Sequence, residues 1–67
     1  MENKVRYYRF HKNEMTQAKL AEAAGVSRQT IIAIEKGVFN PSVRLALKLA
    51  RILDKRVDEV FMLDSED

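Results

Sequence analysis

Between residues 16 and 37 apolar positions recur every three or four residues, in two short blocks separated by a glycine. Leu20, Ala21 and Ala24 make the first block; Val26, Ile31 and Ile34 make the second. This is the spacing of helices with one buried side. Thr16 carries the side-chain oxygen of an N-cap, which predicts a helix over about 17–24. Gly25 ends it, because glycine takes the left-handed conformation that alanine resists by roughly 1 kcal/mol. Ser27 caps the next helix, and Gly37 stops that one in the same way. Ala21 lies on the inner side of the first of the pair, where a small residue lets two steeply crossed helices approach closely.

Extended along the chain, the same pattern gives five helical segments and no strand pattern. The first, about 3–12, turns Val5 and Tyr8 inward and Arg6, Arg9 and Lys12 outward, while Tyr7 and Phe10 fit either side. Asn40-Pro41-Ser42 marks a turn, with Ser42 capping a fourth helix that runs to about Leu53. Val43, Ala46, Leu47, Ala50 and Leu53 lie along one face of it, and Leu45, Leu49 and Ile52 form a second stripe. So wide an apolar arc requires burial on more than one side, which makes this the central helix. A short fifth helix, about 58–62, offers Val57, Val60, Phe61 and Leu63 as cover. No repeat, linker or low-complexity segment interrupts the chain.

The spaced set Thr16-Gln17, Leu20-Ala21, Gly25-Val26-Ser27, Ile31, Ile34-Glu35, Gly37 and Asn40-Pro41-Ser42 closely resembles the Cro/C1-type (XRE-like) helix-turn-helix family of phage repressors and small bacterial and archaeal regulators. The resemblance runs from about Val5 to Phe61. It implies an all-α, five-helix bundle of the phage-repressor DNA-binding type, with helices 2 and 3 forming the helix-turn-helix. One departure is visible: Lys12-Asn13-Glu14 is a residue longer than the usual turn of the family, which leaves the end of the first helix open.

Composition narrows the picture. The 67 residues have room for one domain, here the whole of 1–67 with a short acidic tail at 64–67. So small a domain buries a modest fraction of its surface, and with no cysteine neither a disulfide nor a thiolate metal site can reinforce it. Association with a second copy is the remaining route to stability. No apolar run approaches the roughly 20 residues that cross a bilayer, and the N-terminus lacks a secretory core, so a cytoplasmic protein is expected. The net charge of +2 is unevenly placed: residues 1–56 hold 12 basic and 5 acidic side chains (+7), and residues 57–67 hold no basic and 5 acidic ones (−5). Charged residues often do no more than solvate a surface. Here the segregation, joined to the motif, points to a body that attracts polyanions and a tail that faces away from them.

If the third helix enters a major groove, Ile31 and Ile34 face the core and leave Arg28, Gln29, Ile32 and Ala33 toward the bases. Arg28 can read guanine and Gln29 adenine through paired hydrogen bonds, each worth about 1–3 kcal/mol of discrimination, while Ile32 and Ala33 suit thymine methyl groups. The family resemblance points to the same positions. Gln17, at the start of the second helix, stands where backbone N–H groups and the helix dipole favour an anion. Its family counterpart clamps the DNA backbone and braces the recognition helix. Lys36, Asn40, Thr16, Ser27 and Thr30 are further phosphate candidates, although Thr16 and Ser27 are needed as caps with or without DNA. Glu35 would be repelled by phosphate and is assigned a structural ion pair or hydrogen bond.

Catalysis finds little support: His11 is the only histidine, and no metal-like or paired catalytic spacing and no glycine-rich phosphate loop is present, so neither cofactor nor small-molecule ligand is expected. The expected function is a sequence-specific regulator of double-stranded DNA, acting as a homodimer on a palindromic operator. With no second domain for a ligand, repression by occupying a promoter is the simpler expectation. The alternative is a protein-interaction module, such as an antitoxin or anti-repressor adaptor; an antitoxin usually adds a segment to wrap its toxin, and only a few acidic residues follow Leu63. The dimer surface is expected in the C-terminal third, from Leu49, Ile52, Val60, Phe61 and Leu63, with a core-plugging role for Phe61 left open.

Overall fold

A computed structural model describes residues 1–65 of the protein. The elements run β1 (Glu2–Asn3), α1 (Val5–His11), α2 (Gln17–Ala24), α3 (Arg28–Glu35), α4 (Val43–Ile52), α5 (Val57–Val60) and β2 (Phe61–Met62). Three hydroxyl side chains start the three longest helices. Thr16 accepts a hydrogen bond from the Lys19 N–H at 3.0 Å, Ser27 from that of Thr30 at 3.2 Å, and Ser42 from that of Leu45 at 3.1 Å. Each satisfies one of the N–H groups that a helix start leaves without a partner. Gly25 closes α2 at φ 73° in the left-handed region, and its N–H reaches back to Ala21 and Glu22 carbonyls.

Leu20, Ala21 and Ala24 of α2, Ile31 and Ile34 of α3, and Ala46, Leu49 and Ala50 of α4 meet in one core, completed by Val5, Leu53, Val60 and Phe61. α2 packs against both α3 and α4, and α5 covers α4 from the other end. Ala21, the small residue expected on the inner side of α2, is buried in this core.

Several expectations change. The chain entering α1 and the chain leaving α5 pair as antiparallel strands, Glu2 opposite Met62 and Asn3 opposite Phe61. The Lys4 N–H adds a bond to the Val60 carbonyl at 2.8 Å. The sheet therefore takes residues expected at the two outer helix ends: α1 begins at Val5, and α5 stops at Val60. Leu49 and Val60 are fully buried and Phe61 nearly so. These three fill the monomer core and have no surface to give a partner. Of the five expected interface residues, only the half-buried Ile52 and the exposed Leu63 keep any. On α4 the correction runs the other way, since Val43 is 77% and Leu47 52% exposed.

The turn between α1 and α2 absorbs its extra residue through two successive left-handed residues, Asn13 (φ 54°) and Glu14 (φ 51°). The Met15 N–H then bonds both the Arg9 and the Lys12 carbonyls. Lys12 pairs with Asp54, itself left-handed after α4, and joins the end of α1 to the end of α4. The Lys12 ammonium, through its hydrogen bond and then its charge, holds the Asp54 carboxyl below the usual carboxylate range, with Lys55 adding to the effect.

Candidate nucleic-acid interface

Arg9 was expected to face outward with Arg6 and Lys12, but it turns inward onto the end of α3. Its Nε donates to Glu35 Oε2 at 2.8 Å and its Nη2 to Glu35 Oε1 at 3.1 Å, a two-pronged pair, while its Nη1 donates to the Met15 carbonyl at 2.7 Å. The side chains are 15% and 7% exposed, so the pair is largely shielded from water. A long charged side chain can lie against a helix bundle in this way only when its charge is met. Gln17 Nε2 donates to the same Glu35 Oε1 at 3.1 Å, and Gln17 Oε1 accepts from Arg28 at 3.4 Å. Glu35 therefore ties α1, the start of α2 and the end of α3 together, and Gln17 links both ends of α3. A further tie comes from the N-terminal strand: Asn3 Nδ2 donates to the Ile34 carbonyl at 2.8 Å. The last turn of α3 is held from two sides.

With α3 fixed, its first turn presents Arg28 and Gln29 as exposed side chains, and Ile32 and Ala33 follow one turn later, half-buried over the core residues Ile31 and Ile34. Thr16, Gln17, Ala18, Arg28, Ile32 and Lys36 line one open concavity of about 700 Å³, shared with Arg6, Arg9 and Glu35. Since Glu35 is engaged by Arg9, the cations left facing this hollow are Arg6, Arg28 and Lys36. Its floor is the N-terminus of α2. That is a positive, concave surface beside an exposed helix start, the arrangement that attracts a phosphate backbone while offering side chains to base edges.

The structure thus brings together Thr16, Gln17, Arg28, Ile32 and Lys36 from the expected set. Gln29 and Ala33 lie on α3 outside the concavity, and Asn40 is exposed in the loop between α3 and α4. Ser27 and Thr30 engage each other, hydroxyl to hydroxyl at 3.0 Å. Both serve the start of α3 before any ligand is considered. Arg6 was missed as part of this surface. The signal available was its place one helical turn before Arg9, which puts both on the same side of α1.

Among the described residues no group of three or more His, Asp or Glu side chains is placed to hold a metal ion, and no helix is long and apolar enough to cross a membrane.

The sequence profile described as helix-turn-helix matches residues 5–60. An uncharacterised HTH-type transcriptional regulator of Methanocaldococcus jannaschii is 46% identical over 67 residues, all of both chains. YgzD of Bacillus subtilis, also described as an HTH-type transcriptional regulator, is 43% identical over the same full length. Among solved structures, a chain of a SinR protein/SinI protein complex superimposes with a TM-score of 0.78 at 32% identity, over 92% of this chain and 65% of that one. Such regulators act by binding DNA and not by catalysis. Fold, exposed helix start and relatives agree: the chain belongs to the Cro/C1-type (XRE) helix-turn-helix family of DNA-binding transcriptional regulators.

Proposed function

We propose that the protein is a repressor that binds a palindromic operator as a homodimer and reads it through the first two turns of α3. The observation that carries this reading is the exposed pair Arg28 and Gln29 at the start of a helix whose other end is held by Arg9, Glu35, Gln17 and Asn3. In this reading Arg28 takes guanine, Gln29 adenine, and Ile32 and Ala33 thymine methyl groups. Gln17, Lys36 and Asn40 hold phosphates, with Thr16, Ser27 and Thr30 adding hydroxyls, and Arg6 joins them as a cation on the same hollow. Occupying a promoter needs nothing beyond such an interface, which favours repression. The binding unit is the single domain 1–67, working in the cytoplasm without a small-molecule ligand.

Homodimerisation is supported by size. The described residues measure 32 × 21 × 19 Å. Two such bodies arranged along their 32 Å axis have the dimensions to reach half-sites about one DNA turn, roughly 34 Å, apart. Selection of bound sequences from random duplexes tests the reading: a palindrome with half-sites one turn apart is the expected product. A second reading, a protein-binding adaptor or antitoxin, is favoured by one observation, that a solved neighbour is a complex with a second protein, SinI. Selection that enriches no sequence would favour it.

A further inference from the structure

The outer face of α4 carries apolar and basic groups that the monomer does not use. Val43 and Leu47 stand one turn apart on it, 77% and 52% exposed. With Arg44, Lys48 and Arg51 they line an open groove of about 460 Å³ that contains no acidic side chain. Among the described residues none of these three cations has a carboxylate partner. Lys48 donates instead to the Ala24 carbonyl at 3.2 Å. The chain also carries a segment with the complementary chemistry. Leu63 is 72% exposed just beyond β2, and the sequence after it reads Asp64-Ser65-Glu66-Asp67. Asp64 is held by its own chain's N-terminal ammonium at 2.9 Å, so the match is between Leu63 with the acids that follow Asp64 in the sequence and the apolar pair bordered by three cations.

We infer that the α4 groove receives the acidic C-terminal segment of a second copy of this chain, with Leu63 seated between Val43 and Leu47 and the terminal acids Glu66 and Asp67 beside Arg44, Lys48 and Arg51. Exchange of the two segments gives a twofold pair in which each copy donates one segment and accepts one. Packing of α4 on α4 is disfavoured, because it sets three cations against three without a counter-charge. The inference rests on the homodimer proposed above, and it moves the receiving surface from the buried Leu49, Val60 and Phe61 to residues that have surface to give.

Sedimentation equilibrium of the full chain tests it with two variants at exposed positions, Leu47→Asp, which spoils the groove, and Leu63→Glu, which spoils the segment. Each alone should keep wild-type helix content and lose dimerisation at least tenfold. Their equimolar mixture should recover dimers, because one intact segment then meets one intact groove, and wild-type dimers should weaken as salt rises. Three results would overturn the inference: a wild-type dimer that tolerates both substitutions, a mixture that stays monomeric, or a single variant that stays dimeric. In each of these the homodimer reading survives with its interface elsewhere. A wild type that is monomeric both free and on its selected duplex overturns the inference and the homodimer together.

Discussion

Glu35 carries more of the interface than any residue that would touch DNA, because three elements meet on its carboxylate. Removing one member of a shielded pair leaves the other charge without compensation, which typically costs about 3–5 kcal/mol, whereas replacing both by apolar groups is far less damaging. Glu35→Leu should therefore lose about 3 kcal/mol in urea unfolding, and the double variant Arg9→Met, Glu35→Leu clearly less. Additive losses would show that the pair is not the source of the stability. The structural role of Glu35 is legible in the sequence from the repulsion a phosphate would exert, which needs no partner. The inward turn of Arg9 is not, because a charged position on an amphipathic helix reads as solvent-facing until its counter-charge, 26 residues away, is known. Val43 and Leu47 mislead in the opposite direction. Hydrophobic spacing shows which side of a helix avoids water, and cannot tell a core from a face that another molecule covers.

At the scale of elements, α2 and α3 lie where the sequence predicts them, since their boundaries are set by neighbouring groups: Thr16 and Ser27 at the starts, and Gly25 in a left-handed turn between them. The strands β1 and β2 had no such local signal. Each has two residues, and they pair across almost the whole chain. A strand that short shows no alternation to read. The turn after α1 is a residue longer than is usual in the family, and two left-handed residues take up the excess. Asparagine tolerates the left-handed region, but glutamate is strained there by roughly 1–2 kcal/mol. Glu14→Gly relieves that strain, partly offset by the greater freedom glycine gives the unfolded chain, and should raise stability by about 0.5–1 kcal/mol. A loss of stability on urea unfolding would mean that the Glu14 side chain contributes more than its backbone conformation costs.

For the whole molecule the decisive quantity is where charge lies. The basic groups of residues 1–56 include Arg6, Arg28 and Lys36 around the α2 start and Arg44, Lys48 and Arg51 on α4, while residues 57–67 are purely acidic. Two basic surfaces and one acidic segment allow one surface to serve DNA and the other to serve a second copy. Affinity for duplex DNA should accordingly fall steeply with salt. If Lys36 holds a phosphate in each half-site as proposed, Lys36→Ala should flatten the slope of log affinity against log salt by about one unit per contact, with equal weakening on every sequence. An unchanged slope would remove Lys36 from the backbone contacts.

The claim on which the rest depends is that α3 reads base edges from its exposed first turns. It is tested most directly by selecting bound duplexes from a random pool with the wild type and with Gln29→Ala in parallel. A palindrome is expected for the wild type. For the variant the expected result is the same palindrome with preference relaxed at one position in each half-site, and operator affinity weaker by roughly 1–3 kcal/mol. Selected sequences that are identical for the two proteins, or affinity lost equally on every duplex, would contradict it.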